Sequence, residues 1–238
     1  MNHLDYYRQQ ATARGVTTKD DILRLTDEQS YLFDRILSAW MPADRTTPWV
    51  DLACGHGSFL VYLQRKGWSD LRGVELSPEQ VKLARSTGLD IRQEDALSWL
   101  ANQPSASLSM ISAIDFIEHL SKDDLMELLA NACKALKVGG RLILRYPNAD
   151  SPLVGLHLFN DITHTWTYTT NCMRSLARMH GFHSVMFLDE GFHAIRDHRW
   201  LKVPFGRLAA AALGMLYRGA SRVPIHYWSP DIWACIEK

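Results

Sequence analysis

The chain is short of the features that mark several common protein classes. Only four cysteines occur among 238 residues, Cys54, Cys133, Cys172 and Cys235, and no two stand in a C-x-x-C spacing. Their scatter argues against a cysteine zinc site or a disulfide framework and fits a reducing, cytoplasmic compartment. Neither sign of charge is in excess, with 26 Lys+Arg against 26 Asp+Glu. The basic footprint of a nucleic-acid binder is therefore missing, and no nucleic-acid partner is expected. Long apolar runs are absent too. The longest, Leu208 to Tyr217, is too short to span a bilayer. The opening MNHLDYYRQQ has no apolar core behind a basic start, so it does not read as a signal peptide. No internal repeat or low-complexity run is visible.

What the chain does have is DLACGHGSF, Asp51 to Phe59, set between two apolar runs. It reads as strand, glycine turn, helix. An acid ends the strand, and two glycines one residue apart let backbone pass close to a ligand. A second acid, Glu75, ends the next apolar run in LRGVELSPEQ. An acid about 20 residues beyond a glycine loop is where a βαβ unit holds a ribose. Glycine spacing then sorts the cofactors. A dinucleotide loop needs a third glycine where Leu60 stands, and a P-loop needs a Gly-Lys-Ser/Thr ending that is missing.

Local signals give an alternation of strands and helices. Residues 3–14 read as a helix stopped by Gly15. Thr26-x-x-Gln29 reads as a capping box opening a second helix, with Leu32, Ile36 and Trp40 at helical spacing, ending before Pro42. Strands follow at 48–53, 71–76, 89–93 and 108–114, then at RLILRY after the Gly139-Gly140 turn, at 183–189, and at DIWACIEK. Helices are expected at 58–66, after Ser77-Pro78, over 96–101, after Ser121, and from Thr169 or Thr170 to His180. Strands alternating with helices imply an α/β, doubly wound, mostly parallel sheet covered on both faces. The expected organisation is a helical N-terminal cap over 1–46 and a domain over 47–238 that carries a helical insertion at about 191–230.

The D-x-x-C-G-x-G arrangement of Asp51, Cys54, Gly55 and Gly57 resembles motif I of the class I S-adenosylmethionine-dependent methyltransferases, with Ala53 where that family usually has glycine. The resemblance runs from about Thr47 to Lys238 and implies a seven-stranded, Rossmann-like sheet whose last strand inserts antiparallel. It implies S-adenosylmethionine as cofactor. Asp51 would orient the loop and the methionine end, with Ala53, Gly55 and Gly57 forming the cradle. Glu75 and Leu76 would lie at the ribose, and Asp95 and Ala96 at the adenine. Asp95 reads equally as a helix N-cap. Asp115, which ends the fourth strand at the crevice, would be a further cofactor-binding residue. It lacks the Pro-Pro-aromatic sequence of the amino-group nucleic-acid methyltransferases, and no Pro-Cys nucleophile occurs, which again excludes a flipped base. Phe159 to Phe182 resembles a segment of methyltransferases associated with bacterial surface-polysaccharide synthesis. The FIEHL motif is shared with ubiquinone-pathway O-methyltransferases.

The implied reaction is methyl transfer to a hydroxyl of a small molecule or glycan. A hydroxyl needs a base, because its proton must leave. His164, paired with Asp161 through Asp161-x-x-His164, and His119 are the candidates, since imidazole titrates in the right range. Some ubiquinone-pathway enzymes place Glu-x-x-Glu-His at Asp115-x-x-Glu118-His119 and bind magnesium. Histidine is an unusual magnesium ligand, and no metal is expected. Trp166 and Tyr168 are placed to stack on a sugar ring or to pack. In the insertion, Phe205, Leu208, Ala212 and Met215 share a helical face. They stand between basic residues that include His193, Arg196, His198, Arg199, Lys202, Arg218 and Arg222. That face fits a peripheral membrane contact, the protein's own core or a second subunit in a homodimer. Rival readings are a quinol-type O-methyltransferase, an NAD-dependent or nucleotide-sugar oxidoreductase, and a non-catalytic S-adenosylmethionine-binding protein.

Overall fold

The computed structural model describes residue 12 and residues 15–191, 203–221 and 225–238. Apart from residue 12, the helix expected over 3–14 lies outside the described residues. So do His193, Arg196, His198, Arg199, Lys202 and Arg222, and the side chain of Phe205.

Seven strands form one sheet: β1 (Trp49–Leu52), β2 (Leu71–Glu75), β3 (Asp90–Gln93), β4 (Leu108–Ile114), β5 (Leu136–Pro147), β6 (Ser184–Asp189) and β7 (Asp231–Glu237). Their order is β3-β2-β1-β4-β5-β7-β6. β7 runs antiparallel to both β5 and β6, while the other neighbours are parallel. This is the doubly wound sheet that the strand–helix alternation implies. β5 begins earlier than expected. Gly139 and Gly140 lie inside it, where the pairing with β4 shifts register between Leu108 and Met110.

The helices are α1 (Lys19–Leu37), α2 (Ser58–Arg65), α3 (Pro78–Ser86), α4 (Ala96–Ala101), α5 (Lys122–Ala135), the single turn α6 (Gly155–Leu158), α7 (Thr170–Met179) and α8 (Val203–Ser221). Side chains alternate along each strand, so each strand feeds two cores. On one face Trp49, Met110, Ile143 and Trp233 pack with α1, α2 and α3. On the other, Val50, Ile111, Leu142 and Leu144 pack with α4, α5 and α7.

The start of α1 corrects the sequence reading. Thr18 is the N-cap and forms a capping box with Asp21. Thr26 is buried in mid-helix, where its hydroxyl contacts the carbonyls of Ile22 at 2.8 Å and Ser58 at 3.2 Å. The capping pattern at 26–29 therefore ties α1 to α2 and opens nothing. Aromatic edges hold the same contact: Phe33 meets Phe59 at 5.2 Å and Trp233 at 5.9 Å between ring centroids. Each such pair contributes about 0.5–1.5 kcal/mol beyond its buried area. α1 thereby becomes a wall of the site. Among the described residues no helix is long and apolar enough to cross a membrane.

Candidate active site

A cavity of about 560 Å³ opens at the C-terminal ends of β1, β4 and β5. In open α/β sheets, ligands bind outside the carboxyl ends of the strands, where the strand order reverses. That reversal lies between β1 and β4 here.

The first side of the cavity is built from backbone. After β1 the chain turns through Ala53, Gly55 and Gly57, all with positive φ, at 50°, 55° and 83°. A side chain on Gly57 would put its Cβ 2.9 Å from Leu89 and 3.2 Å from Ala84, so this glycine lets α2 start hard against α3. A Cβ on Gly55 would meet the Gln80 amide at 3.0 Å. Ala53 holds the same left-handed backbone with a Cβ, which costs about 1 kcal/mol relative to glycine.

Two buried carboxylates brace this loop. Asp51 accepts a 2.5 Å hydrogen bond from Ser112, whose oxygen accepts from the Trp49 indole at 3.0 Å. Burial pushes the Asp51 carboxyl up to about 7; Ser112 works against the shift and nearby Glu75 adds to it. Glu75 is fully buried. It accepts from the backbone N–H of Gly55 at 2.9 Å and of Ser77 at 2.7 Å, tying the glycine loop to the start of α3. Burial raises its pKa, and those backbone bonds oppose the rise. Each oxygen already serves one backbone donor, and a carboxylate oxygen can accept a second. Asp51, Ala53 and Gly55 line the cavity. Leu76 follows β2 and is half exposed. Asp95 is the N-cap of α4, accepting from Ser98 N–H at 2.8 Å, and Ala96 is buried beside it. His56 also lines the cavity, and so do Gln29, Leu32 and Phe33 from α1.

The second side is built from side chains far apart in sequence. Arg145 on β5 binds Asp115 through both carboxylate oxygens, Glu190 at 2.7 Å and Asp231 at 2.6 Å. Burial works against its charge, but the three carboxylates outweigh it and hold the guanidinium firmly protonated. Three acids share one cation, so they fare differently. Burial lifts Asp231 to about 6 despite Arg145. Glu190 is also raised by burial, but the guanidinium more than offsets that and keeps it low. His157 Nδ1 stands 2.6 Å from Asp231. Asp115 has a φ of 53°, a second non-glycine residue in left-handed backbone at this site. Its carboxylate is engaged by Arg145 and lines the cavity.

Beyond the arginine, Glu118, His119 and His164 come together, with one ligand atom from each lying within 4.8 Å of the others. Glu118 sits in a one-turn helix at 117–119 and is 2% exposed, with no hydrogen-bond partner at Oε2. Burial, then the charge of Asp115, drives its carboxyl well above the usual range. His164 Nε2 is 4.0 Å from Glu118 Oε1, and its Nδ1 is 3.0 Å from the Leu158 carbonyl. The rings of His119 and His164 meet edge to face at 4.7 Å. The Asp161 carbonyl accepts from the His164 N–H at 3.3 Å, and its carboxylate accepts from the Thr163 N–H at 3.0 Å. It accepts from the Thr163 hydroxyl at 2.6 Å, and that hydroxyl contacts His119 Nδ1 at 2.9 Å. Tyr168 is buried against Tyr146, so it packs, while Trp166 is half exposed under Lys122.

Ser112, Arg145, Glu190 and Asp231 carry no motif. The only signal for them was position at strand ends, which many residues share.

One cavity thus joins a glycine-loop side to a charged side that carries two histidines. The family model for a methyltransferase domain matches residues 25–189. The chain therefore belongs to that family, the class I S-adenosylmethionine-dependent methyltransferases. It is 31% identical over 99 residues to the ubiquinone biosynthesis O-methyltransferase of Idiomarina loihiensis, covering 39% of each chain. It is 27% identical over 127 residues to the ajmaline N-methyltransferase of Rauvolfia serpentina, covering 50% of this chain and 42% of the other. The matches thus span about two fifths of these relatives. In fold it resembles a methyltransferase from Archaeoglobus fulgidus (TM-score 0.67, 19% identity, 88% of this chain and 94% of that one). A second neighbour, from Thermotoga maritima, has TM-score 0.67, 16% identity and coverage of 98% and 99%.

Proposed function

We propose that the chain transfers the methyl group of S-adenosylmethionine to a hydroxyl of a small molecule or glycan. One observation carries this reading. A single cavity joins the glycine loop, through Asp51, Ala53 and Gly55, to the Glu118, His119 and His164 cluster. The residues fit the cofactor. A backbone turn at Gly55, where a Cβ would press on the Gln80 amide that also lines the cavity, lies beside two buried carboxylates. Asp51 would face its methionine end, and Glu75 with Leu76 its ribose. Asp95 and Ala96 would stand at its adenine. When bound, the cofactor supplies an electrophilic methyl on a sulfonium. The chain's own work is to align an acceptor oxygen, exclude water and take the hydroxyl proton at the second cluster. The resemblance of Phe159–Phe182 to surface-polysaccharide methyltransferases supports a glycan acceptor.

A second reading, methyl transfer to an amine, is favoured by the carboxylates of Asp115, Glu118 and Asp231 along the cavity. A transfer screen across sugars, nucleotide sugars, quinols and amines separates the two. The hydroxyl reading expects turnover on an alcohol-bearing acceptor. It also expects His164→Ala to cut that turnover by about 10²–10⁴-fold with cofactor affinity kept. Transfer to amines alone, or wild-type turnover in His164→Ala, overturns it.

A further inference from the structure

We infer that Glu118, His119 and His164 form a binding site for one divalent transition-metal ion, against the expectation of no metal and with His164, not Asp115, joining the Glu118-His119 pair. The proposal deepens the acceptor side of the reading above but stands on its own geometry. Two imidazoles and a carboxylate are the donor set that suits zinc, iron, cobalt or nickel, and it leaves coordination positions open. Their ligand atoms already lie within 4.8 Å of one another. Tetrahedral ligands at about 2.0–2.2 Å from one ion stand about 3.3–3.6 Å apart, so closing the set takes side-chain shifts of up to about 1 Å.

The orientation of each group points the same way. His164 Nδ1 lies on the Leu158 carbonyl, an acceptor only, so Nδ1 carries the proton and Nε2 turns its lone pair toward Glu118 Oε1, 4.0 Å away. Without a cation between them, these two groups need a proton on Glu118 to face each other, and a metal ion would take the place of that proton. Glu118 is almost wholly buried and leaves Oε2 without a partner. His119 Nδ1 is fixed by Thr163, whose hydroxyl is fixed by Asp161, so Nε2 is the atom this ring would present. A ring nitrogen bound to a backbone carbonyl, or to a carboxylate through a hydroxyl, is how metal-ligating histidines are held. Asp161 and Thr163 are then positioning residues. Asp115 is not part of the set, because Arg145 binds it. All three ligands line the cavity, so an acceptor hydroxyl can complete the coordination, where a metal lowers its pKa and its proton leaves to solvent; with metal bound, His164 acts as ligand in place of base, and His164→Ala lowers turnover by losing the ion.

The test uses the full chain stripped with chelator and titrated with cobalt(II), followed by visible absorption, with zinc displacing it in calorimetry. One equivalent is expected. Glu118→Gln and His164→Ala should each weaken binding at least about 100-fold, and Thr163→Val about 10–100-fold. His180→Ala, on the far end of α7, should leave it within twofold. Thermal melting of each variant separates lost ligation from lost folding, and Glu118→Gln keeps shape and volume. Substoichiometric cobalt binding by the wild type overturns the proposal, as does affinity unchanged in both ligand variants. S-adenosylmethionine affinity is measured on the same stripped protein. Cofactor binding without metal binding sinks this site alone, and metal binding without cofactor binding sinks the methyltransferase reading alone.

Discussion

The two sides of the cavity are built by different means. The β1–β3 side is local: Asp51 to Gly57 is one run of chain, and Glu75 reaches it through backbone N–H groups of Gly55 and Ser77. The β4–β5 side is assembled over long separations. Glu118 meets His164 from 46 positions away, and Arg145 gathers Asp115, Glu190 and Asp231. The first side works mainly with backbone conformation, which a few glycines specify. The second works with side-chain charges whose partners are fixed only by the completed sheet. Backbone that a few glycines specify can stay the same while side chains gathered over long separations change, which is how one fold carries different sites.

The contrast is sharpest at Arg145. Replacing it with Met leaves three carboxylates without their cation in a largely buried place. The loss should be about 3–5 kcal/mol of stability, read from urea unfolding. If the sides are independent, cofactor affinity in the folded variant stays near that of wild type. A variant as stable as wild type would show that the ion cluster is not the organiser of the second side.

On the first side the matching test is the buried carboxylate of Asp51. Its folded pKa of about 7 lies above its ordinary value of 3.8. The folded state therefore holds the extra proton between about pH 4 and 7. The sign is that stability falls as pH rises through that window, and the loss is complete above it. The slope attributable to this group is at most about 1.4 kcal/mol per pH unit. Asp51→Asn should flatten the profile over that window, measured by denaturant unfolding at each pH. An unchanged profile would mean that Asp51 is charged at neutral pH despite its burial.

The smallest effect is expected at Ala53. Its φ of 50° is a glycine-type conformation, so Ala53→Gly should raise stability by up to about 1 kcal/mol, since glycine's greater freedom in the unfolded chain offsets part of the gain. Thermal melting checks it; a lower melting temperature would mean that the methyl group packs well enough to outweigh the strain.

The same division explains what could be read in advance. Most strand and helix boundaries after residue 47 followed from apolar runs, N-caps and glycines, because those signals act within a few residues; the start of β5 did not, since Gly139 and Gly140 lie within the strand. The capping pattern at Thr26 misled because Thr18-x-x-Asp21 offered a better start and because Thr26 was needed against Ser58. Asp161 and His164 stood at a suggestive spacing, but the loop turns Asp161 to Thr163 and His164 to Glu118. Arg145 looked like any strand residue until β7 and the end of β6 brought their acids beside it.

The central claim is that cofactor binding and acceptor chemistry reside in separable halves. Calorimetric titration of S-adenosylmethionine into wild type, Glu75→Gln and His164→Ala tests it most directly. The account predicts one-to-one binding by wild type. Glu75→Gln should lose about 1.5–3 kcal/mol, the range for hydrogen bonds to a charged group, and His164→Ala should stay within twofold of wild type. A wild type that binds NAD but not S-adenosylmethionine, or a His164→Ala protein that loses as much affinity as Glu75→Gln, would contradict it.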